Sequence, residues 1–282
     1  MAGGRRGGAG PRVTVVPTVL LIRHGRTAAN ASGTLAGWTP GIGLDDTGRT
    51  QAQALAGRLA PVPFAAIVTS PLQRCRETTE ELRAVPGPRK AARPEPVIED
   101  RLGEAHYGDW TGRPLKELAK DPLWRVVQAH PSAVTFPGDE GESMLGMQLR
   151  AVEAVRHHDA LVAEEHGDDA VWVAVSHGDV IKSVLADALG MHLDAFQRIV
   201  VDPCSVSVVR YTPLRPFALH VNDTGGDLAA LVPAPRARRR PRKCRSREGR
   251  SSGSPSRHPT DPPPPSGHSR SASPPSFHPR PA

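Results

Sequence analysis

Cysteine is scarce in this sequence, and what there is does not pair. Cys75, Cys204 and Cys244 are the only three, an odd number at wide spacing with no Cys-x-x-Cys. That argues against a disulfide framework or a zinc ribbon and fits a reducing, cytoplasmic setting. Histidine is more plentiful, at 12 residues, yet no His-x-His or His-x-x-x-His spacing occurs. His106 and Asp179 are the side chains that would have to join two strand-end histidines in a metal site. Without ligand spacing no metal and no cofactor is expected. No stretch reaches the about 18 apolar residues of a membrane span, so no membrane partner is expected either. There is no internal repeat.

The formal charge of +7 points first to an acidic partner. Its distribution removes that reading for most of the chain. Residues 234–282 hold 12 Lys/Arg against 2 Asp/Glu, a net of +10, which leaves residues 1–233 with 24 basic and 27 acidic groups, a net of −3. Nucleic acid is therefore not an expected partner, except through the tail by charge alone. That tail also carries 12 of the 30 prolines and a single aromatic residue, Phe277. It lacks the apolar surface to offset its conformational entropy, and disorder is expected across 234–282. The Gly/Arg-rich residues 1–12 are expected to be disordered as well. Arg5 and Arg6 before an apolar stretch imitate a secretion signal, but Pro17 interrupts it and no small-x-small cleavage site follows. Residues 13–233 remain as one domain.

Within that domain an apolar run, Val19 to Ile22, stops at Arg23-His24-Gly25. Such a run reads as a buried strand breaking into a loop. Asp46-Thr47 is placed to cap a helix over 48–59. A second strand covers 65–69 and ends at Ser70-Pro71. Pro71 suits the first position of a helix carrying Arg74. A short strand at 97–99, a helix over 115–129 and a long helix over 143–166 follow. Val171-Trp172-Val173-Ala174-Val175 is the strongest strand signal, and it ends in Ser176-His177-Gly178. A helix over 180–189 ends at Gly190, and 205–211 with 217–221 reads as a hairpin. Strand and helix alternate, which predicts an α/β fold of three α-β-α layers around a mostly parallel sheet.

In such sheets ligands bind beyond the carboxyl ends of the strands. His24 and His177 both follow a strand, and Arg74 lies one turn into a helix that follows another. Arg23, Arg74, His24 and His177 can then converge on a phosphate, which two guanidiniums would neutralise. A leaving alkoxide needs a proton donor, and the Gly-flanked loop 102–108 supplies Glu104. Glu99, Asp100, Asp109 and Glu142 are alternatives. Arg26 points either to the site or to solvent. Trp38, Trp110 and Trp124 line a pocket or fill the core. Asp179 and Lys182 read as a helix cap and solvated face, or as groups tuning the substrate end. Cys75 reads as packing.

Five ordered motifs carry a resemblance. They are Arg23-His24-Gly25-Arg26-Thr27 with Asn30; Ser70-Pro71-Leu72-Gln73-Arg74-Cys75-Arg76-Glu77-Thr78; Leu102-Gly103-Glu104 with Tyr107-Gly108-Asp109-Trp110-Thr111-Gly112; Gly141-Glu142-Ser143; and Ser176-His177-Gly178. Together they resemble the histidine phosphatase superfamily, in its phosphoglycerate-mutase-like branch, with wording most similar to actinobacterial phosphomutase and phosphatase members. The resemblance implies a phosphohistidine on His24, with Arg23, Arg74, His177 and Asn30 holding phosphate oxygens. Glu104 would be the acid, and no metal is required.

Glycolytic mutases of the family carry an Arg where this chain has Ala105, and an adjacent Arg pair where it has the separated Arg113 and Arg125. This favours a phosphomonoesterase acting on a small phosphorylated metabolite. Phosphomutase is the alternative. A non-catalytic phosphate-binding module with a nucleic-acid-binding tail is a third reading. Substrate choice is expected to lie in segments 34–44 and 113–142, and the oligomeric state stays open.

Overall fold

A computed structural model describes residues 16–225. The disorder expected for 1–12 and 234–282, the ends of the proposed domain, and Cys244 lie outside the described residues.

Six strands form one sheet: β1 (Thr18–Arg23), β2 (Ala66–Thr69), β3 (Pro96–Ile98), β4 (Val171–Ser176), β5 (Val206–Tyr211) and β6 (Pro216–Asp223). Their order is β3-β2-β4-β1-β5-β6. β1, β4, β2 and β3 run parallel, whereas β5 joins β1 antiparallel and pairs with β6 as the expected hairpin. The continuous apolar runs of β1 and β4 follow from their central place, because a parallel strand covered on both faces has no polar side.

Side chains alternate across the sheet and build two cores. Val19, Leu21, Val68, Trp172 and Ala174 face one layer, with α6 (Met144–His166) and α7 (Gly178–Ala188). Leu20, Ile22, Ile67, Val173 and Val175 face the other, with α2 (Asp46–Leu59) and α3 (Gln73–Ala84). Each fully buried Val, Leu or Ile contributes about 1.5–3 kcal/mol.

Several local expectations are corrected. The cap of α2 is Asp45, whose Oδ1 accepts the Gly48 N–H at 2.7 Å, and Asp46 is its first helical residue. A cap side chain must reach the amide three residues on, and only Asp45 is so placed. α3 starts at Gln73, so Pro71 lies in the approach to the helix. The helix expected over 115–129 is two, α4 (Leu115–Leu118) and α5 (Pro122–Ala129). Asp121 caps the second, and Pro122, with no N–H to donate, opens it. One helix was not anticipated. α1 (Ala28–Ser32) stands on a capping box between Thr27 and Asn30 and ends at Gly33, φ +67°.

The register positions the chemistry. Arg23 stands opposite Ser176, and Thr69 opposite Val175. His24, Ser70 and His177 therefore leave three neighbouring strands at one edge of the sheet.

Candidate active site

His24 is 3 % exposed and follows β1 directly. Its Nδ1 lies 2.7 Å from the Gly25 carbonyl oxygen. A carbonyl only accepts, so Nδ1 carries the proton, and in the neutral ring Nε2 keeps its lone pair. Burial, then the charges of Arg74 and Arg23, hold His24 well below the ordinary histidine value, while the Gly25 carbonyl opposes them. His24 is a neutral imidazole with a free Nε2.

Gly25 is a packing requirement of the turn. A Cβ there would stand 2.6 Å from the Gly48 carbonyl oxygen. The glycine lets the start of α2 pack against the turn, and its N–H donates to Thr78 Oγ1 at 3.0 Å.

His177 is fully buried and stands at the N-terminus of α7, whose free amides and dipole favour an anion. Its ring centroid is 5.2 Å from that of His24. Nε2 hydrogen-bonds Ser70 Oγ at 2.8 Å, and Nδ1 lies 3.8 Å from Glu104 Oε2. Burial first, then Arg74, His24, Arg23 and Arg150, depress its protonation too.

Both guanidiniums are fixed by backbone carbonyls. Arg74 Nη2 donates to Gly37 O at 2.9 Å, and Arg23 Nη1 to Val201 O at 2.6 Å. Arg23 Nε is buried without a partner among the described residues, a donor left over for an anionic oxygen.

Glu104 is held up to about 6, by burial first and then by the charge of Asp179, against Arg74 and the Ala105 N–H. Of the alternative carboxylates, Glu99 and Glu142 are engaged elsewhere. Glu99 binds Arg101 and His158, and these hydrogen bonds hold it down to about 2 despite burial. Glu142 pairs with Arg150.

The structure brings together His24, Arg23, Arg74, His177 and Glu104. Asn30 has another duty: its Oδ1 accepts from the Thr27 N–H at 3.1 Å and the Thr27 hydroxyl at 3.0 Å. Only its Nδ2 amide is left for a phosphate. Arg26 belongs to the α2 terminus, bound to Asp45 at 2.8 Å and Thr47 at 2.7 Å. Cys75 packs its sulfur 3.4 Å from His177 Nε2, and burial pushes its thiol up to about 12. Trp110 is core, whereas Trp38 donates to the Glu104 carbonyl at 2.7 Å and stacks on His106. Asp179 accepts from Tyr107 Oη at 3.0 Å and lies 3.4 Å from Lys182. Among the described residues no three His, Cys, Asp or Glu side chains group as ligands would. Sequence reasoning missed Ser70 as the partner of His177 and Arg150 altogether. Ser70 sits in a motif that signalled it; Arg150 has no local signal.

Beside the site lies a groove of about 480 Å³, lined by Trp38, Pro40, Gln73, Arg76 and Glu77 among others.

The family model of the histidine phosphatase superfamily (branch 1) matches residues 19–224. The chain belongs to that superfamily. A probable phosphoglycerate mutase GpmB of Photorhabdus laumondii is 30% identical over 217 residues, 76% of this chain and 94% of that protein. A glucosyl-3-phosphoglycerate phosphatase of Mycolicibacterium vanbaalenii is 32% identical over 185 residues, 64% of this chain and 77% of that protein. Among solved structures, a mycobacterial glucosyl-3-phosphoglycerate phosphatase in complex with VO3 superposes with a TM-score of 0.60 at 26% identity, covering 73% of this chain and 98% of that one. The enzyme class and the three-layer fold expected from the sequence stand.

Proposed function

We propose that this chain hydrolyses a small phosphomonoester through a phosphohistidine on His24. The observation that carries the reading is the neutral His24 ring, with Nδ1 tied to the Gly25 carbonyl and Nε2 free, beside two fixed guanidiniums. Nε2 attacks phosphorus and the ester P–O bond breaks. Arg23, Arg74 and His177 hold the non-bridging oxygens as negative charge redistributes. The leaving oxygen takes the Glu104 proton. Glu104, now a carboxylate, takes a proton from water, whose oxygen attacks phosphorus and returns the electron pair to Nε2. Charge neutralisation by these side chains gives the reaction a route without a metal. Asn30 is a further phosphate contact through Nδ2.

Hydrolysis is favoured over a mutase cycle by Ala105. It is fully buried in the α6/α7 core and lacks the cation that the glycolytic mutases of the family carry at that position. The groove at Trp38 falls in segment 34–44 and is the proposed seat of the leaving group's distal part. The names of relatives, phosphoglycerate mutase and glucosyl-3-phosphoglycerate phosphatase, support phosphorylated three-carbon acids and their glycosides as the first esters to test. Cys75 and Cys204 are both free, and among the described residues no helix is long and apolar enough to cross a membrane. Both fit the cytoplasmic placement that we propose.

The test is rapid acid quench with a phosphate-labelled aryl ester. The wild type is expected to carry label and His24→Ala to carry none. A labelled or fully active His24→Ala protein sinks the mechanism.

A further inference from the structure

Glu104 does not hold its own position. It lies on the loop of residues 100–107, whose helical structure is one short turn, Asp100–Leu102. Three carbonyl oxygens of this loop, those of Arg101, Gly103 and Glu104, converge on the guanidinium of Arg150 in α6. Arg150 Nη1 donates to Arg101 O at 2.7 Å and to Gly103 O at 2.9 Å. Nη2 donates to Glu104 O at 3.0 Å. The remaining donors go to Glu142, Nη2 to Oε1 at 2.5 Å and Nε to Oε2 at 3.0 Å. All five N–H donors of the fork are thus used, three on the acid loop and two on one carboxylate.

Glu142 closes the circuit. Its Oε1 also accepts the His106 N–H at 2.8 Å, and its own N–H donates to His106 O at 2.9 Å. It sits just before Ser143, the cap of α6, so both members of the pair are anchored by the same helix. Their side chains are 20% and 19% exposed, which keeps water from replacing these bonds.

We propose that Arg150, locked to Glu142, is the positioning residue that sets the acid loop and thereby aims the Glu104 carboxyl at the leaving oxygen. The proposal rests on the reading of Glu104 as the proton donor. A lysine offers a compact charge with three donors and no planar fork, so it cannot span three carbonyls and a carboxylate together.

The test uses a series of aryl phosphates, from p-nitrophenyl phosphate to phenyl phosphate, and reads kcat/KM against leaving-group basicity. A good leaving group needs no acid, while a poor one does. In Arg150→Lys, phenyl phosphate is expected to lose at least about tenfold in kcat/KM, and p-nitrophenyl phosphate less than about twofold. Glu142→Gln, which keeps the shape but loses the charge, is expected to steepen the same dependence less. Parallel loss across the series, no loss at all, or failure of both variants to fold makes Arg150 a stability residue and overturns the proposal. Glu104→Gln is run alongside. If it leaves the dependence flat, the acid assignment itself has failed, independently of the clamp.

Discussion

Arg23 of β1 and Ser176 of β4 stand opposite each other in a parallel pair, so His24 and His177, the residue just after each strand, leave the sheet side by side. Their ring centroids end 5.2 Å apart. Neither histidine is next to the other in sequence, and one pairing register makes them neighbours. The two arginines lower the protonation of both rings, and Glu104 faces His177 Nδ1 at 3.8 Å.

The proton donor sets the pH behaviour. Glu104, held up to about 6, is the proposed donor and can donate only when protonated. For esters with poor leaving groups, kcat/KM is expected to fall as pH rises through about 6. Asp179→Asn removes a charge that raises Glu104, so this descending limb is expected to move to lower pH. A pH profile on phenyl phosphate checks both statements, and an unmoved limb rejects the role of Asp179. Stability follows the same sign. Folding raises Glu104 above its ordinary 4.5, so its favourable contribution is complete below 4.5 and is lost as pH climbs through about 6. Glu104→Gln is expected to gain on the order of 2 kcal/mol over wild type at pH 8 relative to pH 4, read by denaturant unfolding at both values.

Two glycines of neighbouring elements should respond oppositely to alanine. Gly25→Ala drives a Cβ to within 2.6 Å of the Gly48 carbonyl, and backbone must yield on both sides. We expect a loss of about 1–3 kcal/mol together with lower turnover. Gly57, exposed inside α2, has nothing within 4 Å of a new Cβ. Gly57→Ala is expected to stabilise by about 0.5–1 kcal/mol. Thermal unfolding of the two variants decides, and equal shifts would reject the packing argument.

Asn30 can be divided into its two duties. Asn30→Asp keeps the oxygen that accepts from Thr27 and removes the amide donor. If Nδ2 binds phosphate, KM for p-nitrophenyl phosphate should rise severalfold with the melting temperature nearly unchanged. Unchanged KM would leave Asn30 as a helix cap only.

Cys75 and Cys204 are buried thiols, each pushed up to about 12 by that burial. Native protein at pH 8 is expected to keep both unalkylated by iodoacetamide and to keep its activity, whereas unfolded protein should be modified at both. Peptide mass spectrometry reads the difference. Fast native alkylation of Cys75 would contradict its tight packing on His177.

Much of this was legible in the chain itself. Apolar runs that end in His-Gly marked β1 and β4, because a central parallel strand must be apolar on both faces and the ligand end begins where that demand stops. Arg74 and Glu104 were readable from motif and chemistry. α1 was not, since five residues are too few to show a helical period. The break between α4 and α5 was written in Asp121-Pro122 and overlooked, because the apolar spacing runs on through it.

By itself the sequence determined the strands, the long helices and which polar side chains stand at the strand ends, all of which follow from short-range pattern and side-chain chemistry. Only the tertiary structure decided which nitrogen of His24 is free, that Gly25 serves the packing of α2, and that Arg150 holds the acid loop from 46 residues beyond Glu104. Those facts depend on hydrogen bonds between a side chain and distant backbone carbonyls. Every residue carries such a carbonyl, so nothing in the sequence distinguishes the ones that a folded chain brings within reach.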